Sequence, residues 1–161
     1  MTIVGKEGWL GLSDDIRRDI PQTIERLRSH PELNKRLFWL EGISDEFLGR
    51  VYAASTCLLA ASSDEGFGLP LIEAAQHKIP IIARDIPVFR EVAGDYAFYF
   101  NSEKAEGLAQ ALQEWMELYK KDNHPRSDAM PWLTWKESAD QLLKLIIPNQ
   151  ESGSSIKKET M

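Results

Sequence analysis

Two carboxylates and two glycines within one short segment carry most of the chemistry this sequence can offer. The segment reads Ser62-Ser63-Asp64-Glu65-Gly66-Phe67-Gly68-Leu69-Pro70-Leu71-Ile72-Glu73-Ala74-Ala75, with Glu65 and Glu73 eight residues apart. Gly66 and Gly68 remove side chains where a ligand could come against the main chain, and amides at the start of a following helix can donate to a phosphate. Glu65 before the turn and Glu73 in the first helical turn are acceptors for neighbouring hydroxyls of a sugar or a ribose. Donors for phosphate together with acids for a diol describe a nucleotide-sugar site. A plainer reading stands beside it: Gly-x-Gly turns are common, and an acid in a first helical turn often serves only the helix dipole.

Other reactive side chains have milder readings. Cys57 opens an apolar run and reads as a small buried hydrophobe, because no activating base is placed beside it by the sequence. His77 reads as a helix-end or turn residue, and His30 and His124, in polar stretches beside prolines, as exposed. Arg84 and Arg90 flank a loop where Asp85 or Glu91 can pair with them, with phosphate contact the less common use. Trp115 and Trp135 read as core, while Trp9 and Trp132 read as cover for a surface that packs on further structure. No cluster has the spacing of metal ligands.

These residues must be positioned by strands and helices in alternation. Leu37–Leu40, Cys57–Ala61, Ile79–Ala83 and Ala97–Phe100 are short, nearly continuous apolar runs, as expected of parallel strands covered on both faces, and Thr2–Gly5 resembles a strand end. Between them, Ile20, Ile24 and Leu27 stripe a helix from about Ile16 to Arg28, and Ser44 with Asp45 and Glu46 opens another. Pro70 and Pro87 suit first helical turns, the second helix ending at Gly94. The longest helix runs from Glu103 to about Lys121 with Leu108, Leu112, Trp115, Met116 and Tyr119 on one face. A last helix begins at Thr134 with Glu137 as its capping-box partner and should bury Trp135, Ala139, Leu142 and Leu143. This order predicts an α/β fold, a Rossmann-like doubly wound parallel sheet whose ligands sit beyond the carboxyl ends of the strands. The Ser62–Gly68 loop leaves one such end.

Composition bounds the rest. The chain of 161 residues suits one folded body over residues 1–148, followed by a flexible tail over 149–161 rich in serine. Five Trp and ordinary Gly and Pro counts exclude a disordered or collagen-like chain. With 25 acids against 19 bases the net charge is −6, which argues against nucleic acid as a partner. A single Cys, no signal pattern and no apolar run of about eighteen residues lead to the expectation of a cytoplasmic protein.

The string EGFGLPLIE, with its E-x(7)-E spacing, followed by Ala74-Ala75, Pro80-Ile81-Ile82-Ala83 and Arg90-Glu91-Val92, closely resembles the carboxyl-terminal lobe of family 4 retaining glycosyltransferases of GT-B fold. Leu40-Glu41-Gly42-Ile43-Ser44-Asp45-Glu46 and Tyr52-Ala53-Ala54-Ser55 match the family's order of elements, and the wording is similar to bacterial mannosyltransferases of surface polysaccharide. The resemblance implies that Glu73 accepts from the ribose hydroxyls, that Glu65 contacts the transferred sugar and is the catalytic residue, and that Gly66, Phe67, Gly68 and Leu69 meet sugar and diphosphate. It places Ile43 against the base. The donor would be a nucleoside diphosphate sugar, mannose being the expected sugar, with no metal and no cofactor. The full-length protein would associate peripherally with the inner face of a membrane.

The family's lobe normally begins one strand earlier, with an Arg and a Lys that grip the phosphates, and is joined to an amino-terminal acceptor lobe. Both are expected to be missing from this chain, and neither Lys6 nor Lys35 stands in the matching place. The isolated chain is therefore expected to be inactive. The alternatives are a non-catalytic nucleotide-binding or interaction domain of the same fold, and a nucleotide-sugar epimerase of the same two-lobed architecture.

Overall fold

A computed structural model describes residues 1–7, 11–17 and 19–147; Trp9, Pro148 and the tail lie outside the described residues. The chain packs as two compact units, Met1–Ala54 and a second beginning at Ser55. Every pairing between its named strands is parallel, as the continuous apolar runs predict, in one sheet of two strands and one of three.

In the first unit, β1 (Thr2–Val4) pairs with β2 (Phe38–Leu40), with Ile3 beside Trp39. The indole Nε1 of Trp39 donates to the Gly5 carbonyl at 2.7 Å, fixing the chain as it leaves β1. The helix expected from Ile16 is two pieces, α1 (Asp14–Arg17) and α2 (Ile20–Arg28). Pro21 accounts for the break: it lacks an N–H and its ring excludes a preceding helical turn, so it sits at a helix start. Ile20, Ile24 and Leu27 form the less exposed stripe of α2, as expected. The partly buried Glu7 carboxylate accepts from Arg17 and, at 3.0 Å, from Arg28, whose guanidinium lies over Trp39. After β2, Ser44 caps α3 (Asp45–Ala53) by accepting the Phe47 N–H at 3.2 Å.

In the second unit, β3 (Leu58–Ala60), β4 (Ile81–Arg84) and β5 (Phe98–Phe100) lie side by side with β4 central. α4 (Leu69–Gln76) and α5 (Pro87–Ala93) make the crossovers, and α6 (Ala105–Lys120) follows β5. Ile81, Ile82 and Ala83 are buried, as a strand covered on both faces requires. Leu71 and Ala74 of α4, Phe89 and Ala93 of α5, and Trp115 of α6 complete the core, with Cys57 packed against the Trp115 cluster. Cys57 is partly rather than fully buried, and burial pushes its thiol above the usual range, away from the thiolate form. The hydroxyl of buried Ser127 donates to the Ile79 carbonyl at 2.5 Å and ties the segment after α6 to the sheet.

α4 ends as the sequence predicts for His77, its C-cap residue. Lys78 follows in the left-handed region at φ 58°, with its N–H on the Ala75 carbonyl and that of buried Ile79 on Ala74, the two bonds of a Schellman motif. Lysine is strained there and glycine is not, so Lys78→Gly is expected to raise stability by about 0.5–1 kcal/mol, net of the unfolded-state entropy that glycine adds. A urea titration with unchanged slope checks it; no gain would mean that the lysine side chain compensates.

Two burial expectations are corrected. His124 is not exposed: its side chain is 8% accessible and stacks on Tyr119 at 5.2 Å, with Trp115 beyond. The cause is the chain reversal after α6, where Asp122 at φ 51° and the Asn123 N–H on the Leu118 carbonyl turn the backbone onto the aromatic face. Nor is the last helix, α7 (Trp135–Ile146), buried along its stripe. Its capping box forms as predicted, with Thr134 accepting the Glu137 N–H and the Glu137 carboxylate accepting the Thr134 N–H. Yet Trp135 is 82% exposed and Ala139, Leu142 and Leu143 are exposed too. Periodicity identifies which face of a helix is apolar; burial also needs a surface opposite it. Trp132 is exposed, as expected.

Candidate functional site

The Ser62–Gly68 loop leaves β3 and enters α4, as the sequence predicts. Gly68 is the N-cap residue of α4 at φ 78°, ψ 36°, a left-handed conformation. A Cβ there would stand 3.2 Å from the ring of Phe89, so Gly68 is glycine for two structural reasons. Gly66 differs. It needs no positive φ, and a Cβ on it would meet nothing within 4 Å. The packing of this chain does not require a glycine at position 66, and the space beside it is open to a ligand.

Glu65 is exposed, and its carboxylate is held by the Ser62 hydroxyl at 2.7 Å while its own N–H donates to Asp64 at 3.0 Å. A pre-oriented carboxylate next to an open glycine suits contact with a polyol. Phe67 and Leu69 beside them are 58% and 42% exposed, large apolar side chains at the rim.

Glu73 lies elsewhere on its helix than expected. It is the fifth residue of α4, in the second turn, because the left-handed Gly68 starts the helix at Leu69 and puts Pro70 in the first turn. No acid occupies that first turn, so the helix-dipole reading of Glu73 loses its basis. The side chain is partly buried and engaged with a neighbour. The amide reading also narrows. Pro70 has no N–H, and that of Leu71 donates to Gly68 at 3.0 Å, so an anion would meet the amides of the turn up to Leu69 rather than those of Pro70 and Leu71.

Ile43 belongs to the first unit, partly buried between Gly42, at φ 62°, and the cap residue Ser44. Of the two arginines, Arg90 pairs with Asp85 as the simpler reading has it, through two bonds of 2.7 and 2.8 Å, and lies 3.7 Å from the Tyr99 ring centroid. That pairing holds the Asp85 carboxyl below the usual carboxylate range, whereas burial raises the Tyr99 phenol. Arg84 does not pair with Asp85 or Glu91 in this way; it donates to the main-chain carbonyls of Ala61 and Ser102. The sequence reading thus gave Arg84 the wrong partners, and it assigned no role to Ser62, which holds Glu65, or to Phe89, which packs against Gly68. Of these only Ser62, three residues before Glu65 in a loop, carried a local signal.

No helix among the described residues is long and apolar enough to cross a membrane. Residues 2–130 match the family model described as glycosyl transferases, group 1. Over 142 residues, 88% of the chain, the sequence is 54% identical to the serotype-specific mannosyltransferase WbdA of Escherichia coli, of which it spans 16%. It is 33% identical over 97 residues to the O-antigen chain mannosyltransferase RfbU of Salmonella typhimurium, covering 60% of this chain and 28% of that one. Among solved structures, the sucrose-phosphate synthase of Thermosynechococcus elongatus superposes with a TM-score of 0.65 at 22% identity, over 90% of this chain and 37% of that one. Anabaena HepE, solved with UDP and glucose, gives 0.58 at 23% identity, over 80% of this chain and 34% of that one. With the family model covering most of its length, the α/β chain belongs to the group 1 glycosyl transferases and carries their GT-B-type fold.

Proposed function

We propose that this chain is the donor-binding lobe of a retaining glycosyltransferase that moves mannose from a nucleoside diphosphate sugar to a hydroxyl acceptor in polysaccharide synthesis. One observation carries the reading: at the carboxyl end of β3, Glu65 is held beside an open glycine, and Glu73 follows on a helix that starts at a left-handed glycine. The mannosyltransferase relatives, at 54% and 33% identity, support the sugar.

In this reading Glu73 accepts from the ribose hydroxyls and Ile43 meets the base. The main chain of Gly66, Phe67, Gly68 and Leu69 donates to the sugar and diphosphate, and Glu65 orients the transferred sugar and stabilises charge as its bond to phosphate breaks. Charge on the departing diphosphate is met by amides and cations rather than by a resident metal. Transfer with retention needs an acceptor oriented against the donor in a closed, dry cleft, and the chain spans 16% of WbdA. The chain alone is therefore expected to bind donor weakly and to transfer nothing.

Calorimetric titration with UDP, GDP and their sugars tests this. Binding in the millimolar range is expected, and Glu73→Ala should weaken it about tenfold or more, the worth of a hydrogen bond to a charged acceptor. No binding at millimolar ligand, or equal binding by Glu73→Ala, would sink the assignment; transfer by these residues alone would remove the two-lobe argument.

A further inference from the structure

We infer that Arg84 is a positioning residue for the Ser62–Gly68 loop, an inference whose functional meaning rests on reading that loop as the donor-sugar turn. Arg84 is the last residue of β4, the central strand, so its side chain leaves the sheet between the ends of β3 and β5. Its Nε donates to the Ala61 carbonyl at 3.1 Å and its Nη1 to the Ser102 carbonyl at 2.6 Å, with the guanidinium over Phe100 at 5.3 Å.

The two carbonyls belong to different loops. Ala61 stands directly before Ser62, whose hydroxyl holds Glu65. Ser102 begins the approach to α6: its Oγ accepts the Lys104 N–H at 3.1 Å and is so close-packed that a Cβ on Gly107 would come within 2.1 Å of it. Arg84 thus ties the start of the Ser62–Gly68 loop to a tightly fitted helix start. The far end is set by the same β4–α5 stretch, since the Phe89 ring lies under Gly68. Between these anchors the bonds of Ser62, Asp64 and Glu65 to one another shape the loop locally.

The chemistry favours arginine. Hydrogen bonds from a charged donor are about twice as strong as neutral ones, and a planar fork reaches two carbonyls on diverging chains where an ammonium reaches one point. A loop held by few contacts opens locally at a free energy far below global unfolding, so losing one anchor changes its opening more than the fold.

Hydrogen exchange on this chain, read beside UDP and GDP titration, tests the inference. In Arg84→Met, residues 62–67 should exchange about tenfold faster while β4 amides keep the wild-type rate, and Arg84→Lys should fall between. If wild type binds nucleotide, affinity should drop in the same order. Unchanged loop exchange in folded Arg84→Met, or equal nucleotide affinity, overturns the inference. Should Arg84→Met not fold, Arg84→Lys carries the comparison, and wild-type loop exchange there overturns it. A wild type that binds no nucleotide but whose loop exchange follows Arg84 upholds the positioning and removes the donor reading, so the two failures are distinguishable.

Discussion

Phe89→Ala is expected to lower the stability of the second unit by about 3–5 kcal/mol, the cost of deleting a buried aromatic ring without full collapse around the gap. Phe89 is among the largest fully buried side chains of the structure. Its carbonyl also accepts the Tyr99 hydroxyl at 3.1 Å, so the backbone around it is held from β5 and cannot easily move in to fill the space. Domains of this size are stable by about 5–15 kcal/mol, so the substitution removes a large share of the total. Because the chain packs as two units, the readout should belong to the second one. Exchange of the β4 amides under native conditions gives its opening free energy directly. A loss under about 1 kcal/mol would mean that the ring sits in a site able to collapse, and that Gly68 is not fixed by its contact with Phe89.

What the sequence revealed of the fold follows from where the governing forces are local. β4 was legible because a strand buried on both faces has no polar position to hide: Ile81-Ile82-Ala83 is apolar throughout. The α7 capping box was legible because Thr134 and Glu137 act on each other three residues apart. His124 and Trp135 were misread because their burial depends on other elements, a left-handed turn at Asp122 in one case and the absence of cover in the other. At the site, Glu65, Gly66, Gly68 and Glu73 stood out by type and spacing. The partners of Arg84 did not, since they are main-chain carbonyls 23 and 18 residues away, and a carbonyl leaves no trace in residue identity. The turn position of Glu73 was misjudged because the helix start is set by the backbone angle at Gly68, which the letter G permits but does not dictate.

Gly68 and Gly66 should respond to substitution in opposite ways. Gly68→Ala is expected to cost about 2 kcal/mol, combining roughly 1–2 kcal/mol for a left-handed non-glycine residue with crowding against Phe89. The crowding arises because the new Cβ would lie 3.2 Å from two ring atoms of a buried side chain that has little room to retreat. Gly66→Val meets no such obstacle: the backbone is not in the left-handed region and a Cβ finds nothing within 4 Å. Its unfolding free energy should stay within about 0.5 kcal/mol of wild type, as for other exposed substitutions. A branched side chain there takes up space that is now open beside the loop, so under the proposed function nucleotide-sugar affinity should fall about thirtyfold or more, the cost of keeping a ligand off the main chain it must approach. On the same reading UDP or GDP without the sugar should lose less, because Glu65 and Gly66 would face the sugar and diphosphate rather than the base. Urea unfolding and calorimetry on the same two variants separate the cases. If Gly66→Val binds the nucleotide sugar as wild type does, the open side of the loop is not the ligand side and the donor assignment of residues 65–69 fails, whatever Gly68→Ala does to stability.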